Sequence, residues 1–210
     1  MNKENMNILY AFAHIVLNPI FKILFRWEVK GKENIPQKGG VILAAHHESY
    51  LDPAIAGTAS PRQIYFLARE ELFQLGFFSW IIKRLNTIPI SREQLQIGAF
   101  KKSLEILKKG KVLLLFPEGT RSPAGIISEG EKGVGLIASY ANVPVIPVLI
   151  KGSGQALPKN RKWITSHKIF VVFGKPLYFA NLDSESRKDA YQEFSDRIMK
   201  EMRKLAVFED

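Results

Sequence analysis

Cysteine is absent from the 210 residues. That excludes a disulfide framework, a thiolate metal site and a cysteine nucleophile, and it fits a reducing compartment. Histidine is scarce: the four residues are His14, His46, His47 and His167. Their spacing lacks the third ligand of a zinc-type site, and no dinucleotide-type glycine fingerprint is present, so neither a metal nor an organic prosthetic group is expected. There is no low-complexity tract, and 46% hydrophobic against 24% charged residues excludes a disordered or fibrous chain. Acidic residues are outnumbered, 20 against 30 Lys and Arg, for a net charge of +10. The expected partners are therefore anionic, whether nucleic acid, a phospholipid surface or a phosphorylated substrate. Zinc-finger, RNP-like and GXXG signatures are missing, so a nucleic-acid partner is not expected.

A long unbroken apolar run is missing too. Residues 8–27 are mostly apolar, but His14, Asn18, Pro19, Lys22 and Arg26 interrupt them. A spanning helix needs about 20 consecutive apolar residues, so this segment is not expected to cross a bilayer. A signal peptide is not expected either, because Glu4 offsets Lys3 and large residues follow throughout. Pro19 is expected to divide the segment into two short helices. Leu17, Ile20, Phe21, Leu24 and Phe25 supply an apolar face, and Lys22, Arg26 and Trp27 suit a headgroup boundary. This pattern describes a monotopic membrane foot over residues 1–27, but a helix pair packed on the domain's own core needs the same apolar stripe.

From Glu28 the chain alternates short β-type runs with amphipathic segments, which predicts an α/β layered fold over residues 28–210. The runs are Glu28–Lys30, Val41–Ala45, Gln63–Leu67, Thr87–Ile90, Val112–Phe116, Val145–Ile150 and Ile169–Phe173. Ile97, Phe100, Leu104 and Leu107 fall at helical spacing with lysines on the other face, and Gly110 ends that helix. A last helix is predicted from a cap at Ser184 to Leu205. Between Arg62 and Lys111, ten basic residues face four acidic ones, so this stretch holds +6 of the charge. Within it, the aromatic run Leu72–Ile82 ends in Lys83 and Arg84, a composition shared by interfacial helices and by core helices with a basic end.

Polar residues gather just past the ends of these strands, where open α/β sheets build their sites. His46-His47-Glu48-Ser49-Tyr50-Leu51-Asp52 follows one strand. Asp52 can orient one nitrogen of His47 and leave the other as a base, which suffices when the nucleophile is a substrate hydroxyl. The same spacing fits a carboxylate that only caps a helix, and it leaves His46 open as the base. Phe116-Pro117-Glu118-Gly119-Thr120-Arg121-Ser122 follows another strand. Its glycine turn, hydroxyls and arginine suit an anion, although a capped turn with an internal Glu118–Arg121 pair fits as well. Arg92 follows a third strand.

Four ordered blocks then carry a more specific signal: His47-x4-Asp52, Ile88-Pro89-Ile90-Ser91-Arg92, Phe116 to Ser122, and Val143-Pro144-Val145-Ile146-Pro147-Val148. In order and spacing they resemble the glycerolipid acyltransferase family over roughly Gly31 to Pro176. The resemblance implies a mixed, mostly parallel central sheet flanked by helices. It implies acyl transfer from acyl-CoA or acyl carrier protein to the free hydroxyl of 1-acylglycerol 3-phosphate, a lysophosphatidic acid, with a sibling enzyme acting on another lysolipid or on glycerol 3-phosphate as the alternative. It assigns His47 as general base, Asp52 as its partner, Arg92 and Arg121 as phosphate ligands and Glu118 as a glycerol-positioning residue, with Gly119 and Thr120 in the same binding turn. Two positions depart from the pattern. Asn86 stands where glycine is common, and Asn tolerates the left-handed conformation such a turn needs. Arg69 stands where the family usually has a phosphate-binding lysine, keeping the charge but not the reach. Lys132-Gly133 resembles the family's basic-glycine step. A lipid acceptor implies an anionic membrane surface as partner and the cytoplasmic face of the cell membrane as location.

Overall fold

The computed structural model describes residues 8–69, 86–90, 97–158, 163–179 and 186–207. Among these described residues seven strands form one sheet: β1 (Glu28–Lys30), β2 (Val41–Ala45), β3 (Ile64–Arg69), β4 (Thr87–Ile90), β5 (Val112–Leu115), β6 (Val145–Lys151) and β7 (Phe170–Phe173). Their order is β1-β7-β6-β2-β5-β3-β4. The five strands from β6 to β4 are mutually parallel, β7 runs antiparallel to β6, and β1 is parallel to β7. All seven predicted runs are strands, three with the expected ends and four with ends shifted by one or two residues.

Helices cover both faces of the parallel strands, which is why β2 reads as an unbroken apolar run and is buried along its whole length. Val41, Leu43 and Ala45 pack into one core with α1 (Ile8–Phe25) and α2 (Asp52–Ala59). Ile42 and Ala44 face the opposite core, filled by α3 (Ile97–Lys108), α4 (Gly133–Ala141) and α6 (Arg187–Val207). A fully buried Leu or Ile contributes about 1.5–3 kcal/mol, so this central strand anchors both layers. Helix α4 packs so closely on α6 that a Cβ at Gly135 would lie 2.0 Å from the Tyr191 carbonyl oxygen. A short helix, α5 (Ser153–Ala156), follows β6.

Three local expectations change. Pro19 does not divide the N-terminal segment, because α1 is a single helix through it. Proline removes one backbone hydrogen bond, and here the turns on either side are held independently. Tyr10 donates its hydroxyl to the Gly57 carbonyl (3.0 Å) and accepts from the Ile64 N–H (3.2 Å), while Phe21 and Phe25 are buried against the sheet. Burial pushes the Tyr10 phenol up to about 12. The final helix begins at Arg187, where Ser186 accepts the Asp189 N–H; Ser184 lies outside the described residues. Finally, Arg62 belongs to the framework. Its guanidinium donates to the carbonyls of Pro36 (2.7 Å), Gly39 (2.8 Å) and Gly110 (2.6 Å), so part of the local positive charge staples loops. Asn86 adopts φ 60, the left-handed turn its position calls for. The aromatic run Leu72–Ile82 lies outside the described residues.

Helix α1 is apolar on both sides. Tyr10, Phe21 and Phe25 face the core, whereas Phe12, Ile15, Val16, Pro19, Ile20 and Ile23 are exposed at helical spacing. Core packing and an outward apolar stripe therefore coexist on one helix. No helix among the described residues is long and apolar enough to cross a membrane.

Candidate active site

Strand β2 delivers the two histidines. The His46 N–H still pairs with the Val148 carbonyl (3.0 Å), after which the chain leaves the sheet and turns into α2. That helix opens with Asp52 and Pro53, a place where proline's missing N–H needs no partner. Asp52 is fully buried, and its Oδ2 accepts three bonds of 2.8 Å: from His47 Nδ1 and from the N–H groups of Glu48 and Ser49. The carboxylate thus closes the loop and orients the imidazole together. A carboxylate only accepts, so Nδ1 carries the proton and Nε2 is left as the basic nitrogen. The His47 side chain retains 17% of its exposure, and its ring stacks on Phe116 at 3.9 Å between centroids.

His46 is placed differently. It is buried, with Nδ1 2.8 Å from Glu118 Oε1 and Nε2 3.7 Å from Glu48 Oε2. Burial works against its cation, but the two carboxylates outweigh it and push the imidazole up to about 9. Glu48 has the converse balance. Burial favours its neutral form, yet His46 and the N–H groups of Gly125 and Gly154 hold its carboxyl below the ordinary value. Glu48 also accepts from the Gly152 N–H (3.1 Å) and the Ser153 hydroxyl (3.3 Å), tying β2 to α5. The histidine that spacing left open as a base is therefore a buried cation, and the one beside Asp52 is His47.

Strand β5 delivers the second loop. Glu118 is buried, and four protein donors surround its carboxylate. They are His46 Nδ1, the His47 N–H (2.8 Å), the Ser122 hydroxyl (2.9 Å) and the Ser128 N–H (3.2 Å). The Ser122 N–H donates back to the His47 carbonyl (2.8 Å), so the two loops form one unit. The turn needs Gly119, whose φ is 66, and the Gly119 N–H closes onto the Phe116 carbonyl (3.1 Å). Thr120 is exposed.

Arg121 turns away from Glu118 toward Tyr50. Its Cζ lies 3.7 Å from the Tyr50 ring centroid and its Nη2 donates to the Tyr50 hydroxyl (3.0 Å). Its Nη1 is buried without a hydrogen-bond partner among the described residues. A guanidinium held over an aromatic face with an unspent nitrogen is suited to phosphate. Arg69 ends β3 at the same edge of the sheet, and its side chain, like the whole of Arg92, lies outside the described residues.

Comparison with known proteins gives this arrangement a family. Residues 26–151 match the family model described as Acyltransferase. The chain belongs to the acyltransferase family. Among its relatives is the chloroplastic 1-acyl-sn-glycerol-3-phosphate acyltransferase of Brassica napus, 30% identical over 181 residues. That match takes in 84% of this chain and 51% of the relative, so the chain spans about half the length of this plant protein. The 1-acyl-sn-glycerol-3-phosphate acyltransferase of Bacillus subtilis is 29% identical over 200 residues, covering 92% of this chain and 96% of its own. The crystal structure of the 1-acyl-sn-glycerophosphate acyltransferase from Thermotoga maritima superimposes with a TM-score of 0.73. It is 30% identical, with 91% of this chain and 77% of that one covered.

Several residues that shape the site of this acyltransferase carry no distinguishing mark in the sequence. Glu48, Tyr50 and Phe116 sit within or beside the recognised blocks, but their partners lie up to 106 positions away. Only the paired loops reveal that Glu48 is a buried strut and Tyr50 a platform. The basic step Lys132-Gly133 stands at the start of α4, with Lys132 exposed.

Proposed function

We propose that this chain is a 1-acyl-sn-glycerol-3-phosphate acyltransferase, which moves a fatty acyl group from acyl-CoA or acyl carrier protein to lysophosphatidic acid. The observation that carries the reading is the His47–Asp52 pair at the carboxyl edge of the sheet, with Arg121 on the adjoining loop, whose Nη1 has no hydrogen-bond partner among the described residues. His47 Nε2 takes the proton from the free hydroxyl of 1-acylglycerol 3-phosphate as that oxygen attacks the thioester carbonyl. The tetrahedral centre collapses, the carbon–sulfur bond breaks, and the leaving thiolate takes the proton from His47. The acceptor hydroxyl is the nucleophile, so no acyl-enzyme forms. Asp52 keeps His47 in the reactive tautomer and steadies the transient imidazolium.

Arg121, with Arg92 and Arg69, holds the acceptor phosphate and makes the encounter a positioned one. Gly119 and Thr120 belong to the same binding turn. Glu118, which the resemblance makes a glycerol-positioning residue, spends its carboxylate on four protein donors, and we give it instead the role of positioning the His47 loop.

Residues 1–27 act as a membrane-associating segment and residues 28–210 as the acyltransferase domain. The division is one of function, because α1 shares a core with the sheet. The outward stripe of α1 supports a peripheral or monotopic foot on an anionic membrane, at the cytoplasmic face. The test is an acceptor panel with palmitoyl-CoA and palmitoyl carrier protein as donors. Thiol release that requires lysophosphatidic acid supports the reading. Release only with glycerol 3-phosphate or another lysolipid would reassign the acceptor.

A further inference from the structure

Large apolar side chains stand exposed at a second place, the segment that leads into β7. Trp163 keeps 82% of its exposure and Ile164 is exposed beside it. The segment is fastened at two sides. The Thr165 N–H donates to the Ala156 carbonyl (2.8 Å), at the end of the short helix whose Ser153 and Gly154 hold Glu48. The Ser166 hydroxyl donates to the Leu24 carbonyl (2.6 Å) and the Ile169 N–H to the Phe25 carbonyl (3.1 Å), at the C-terminal end of α1. Ile23, also 82% exposed, belongs to that same last turn.

Register shows which end of the sheet this is. Phe170 pairs with Lys151, the last residue of β6, and Ala45, the last residue of β2, pairs with Val148. The 163–169 segment therefore lies at the edge from which His47 and Asp52 project. The N-terminal part of α1 is at the other edge, where Tyr10 bonds to the first residue of β3. The apolar stripe of α1 thus runs toward the dyad end of the sheet, and Trp163 and Ile164 stand where it arrives.

The chemistry of this corner suits one kind of partner. An indole prefers a boundary with one apolar and one wet side, and aliphatic groups beside it favour shallow burial in acyl chains. Lys22 and Arg26 are exposed around the end of α1, and Lys168 adjoins the segment, paired with Glu28 at 2.6 Å. Cations ringing an exposed apolar corner complement an anionic headgroup layer better than they complement an apolar protein surface.

We propose that Trp163 and Ile164, with the C-terminal end of α1, form a membrane-docking surface that seats the dyad end of the sheet on an anionic phospholipid bilayer. The inference rests on the functional reading above, since a lipid acceptor and acyl chain reach the site from such a surface. It adds a second contact remote in sequence from α1, and that contact fixes which end of the sheet meets the lipid.

The test uses the full chain with vesicles of equimolar phosphatidylglycerol and phosphatidylcholine, and with pure phosphatidylcholine. Bromine-labelled acyl chains report depth through tryptophan quenching. The wild type is expected to bind the anionic vesicles and be quenched, and Trp163→Phe to bind while losing a distinct part of that quenching. Trp163→Asp with Ile164→Asp is expected to weaken binding by at least about tenfold. The double variant should still release thiol with a short-chain, water-soluble lysophosphatidic acid within about twofold of wild type, as the residues lie outside the reacting groups. Four results would overturn the inference: unchanged binding by the double variant, quenching indifferent to Trp163→Phe, equal binding to neutral vesicles, or loss of activity on the soluble acceptor. Docking through Trp163 without any thioester turnover would uphold the surface and overturn the functional reading instead.

Discussion

The guanidinium of Arg121 lies over the ring of Tyr50, with Cζ 3.7 Å from its centroid, and also bonds to the Tyr50 hydroxyl. One residue comes from the loop after β5 and the other from the loop that carries the dyad. Tyr50 therefore sets where the proposed phosphate ligand points relative to His47. Replacing Tyr50 by Ala is expected to raise KM for lysophosphatidic acid by about tenfold while kcat falls much less, because a cation–π platform contributes roughly 0.5–2 kcal/mol. Tyr50→Phe keeps the ring and should fall between the two. Steady-state kinetics with varied acceptor checks this, and an unchanged KM in Tyr50→Ala would count against it.

Glu118 is expected to act on kcat. Its carboxylate fixes the His47 backbone and pairs with the buried His46 cation. Glu118→Gln removes the charge and leaves that cation poorly compensated, at a cost of about 3 kcal/mol or more in stability. Turnover should fall by about a hundredfold or more, as misplacing a catalytic base by an ångström does. Denaturant melts and kinetics of Glu118→Gln measure both. A raised acceptor KM with kcat and stability intact would instead make Glu118 a substrate ligand.

Stability should also depend on pH through His46. Its folded pKa, about 9, is above the 6.5 of the free side chain. The stabilisation is fully present below about pH 6.5 and is lost as pH rises through 9, amounting to about 3 kcal/mol. Melting temperature should therefore decline between these pH values, and His46→Gln should flatten that decline. Equal pH dependence in the variant and wild type would remove His46 as its source.

Arg62 separates structural from functional charge. Its three bonds to carbonyl oxygens predict that Arg62→Ala loses about 2–3 kcal/mol of stability while KM for the acceptor stays unchanged. Chemical denaturation and acceptor titration on one preparation test both halves. A marked rise in KM with unaltered stability would place Arg62 at the phosphate instead.

The strands were legible because Val, Ile, Leu and Phe cluster in short runs bounded by turn residues, and a doubly covered parallel strand such as Val41–Ala45 needs no alternation. Asn86 was legible for a local reason, its tolerance of positive φ. Pro19 misled because tertiary contacts on both halves of the helix, at Tyr10 and at Phe21 and Phe25, outweigh one lost hydrogen bond. The two readings of the N-terminal segment looked exclusive in one dimension, yet a helix has enough circumference for a core face and a separate apolar stripe. The pairing of His46 with Glu118 across 72 residues was not legible, because only β2 and β5 lying side by side bring their loops together. The two carboxylates that outweigh burial and make His46 a cation come from Glu118 on the other loop and from Glu48, and that convergence leaves no trace in spacing.

The most direct measurement is acceptor-dependent thiol release by the membrane-reconstituted chain and its His47→Ala variant, with lysophosphatidic acid and either palmitoyl donor. Release by the wild type only when the acceptor is present, and at least about a hundredfold slower in the variant, is the expected result. Wild-type rates in His47→Ala, or thiol release that ignores the acceptor, would contradict direct transfer driven by the His47–Asp52 pair.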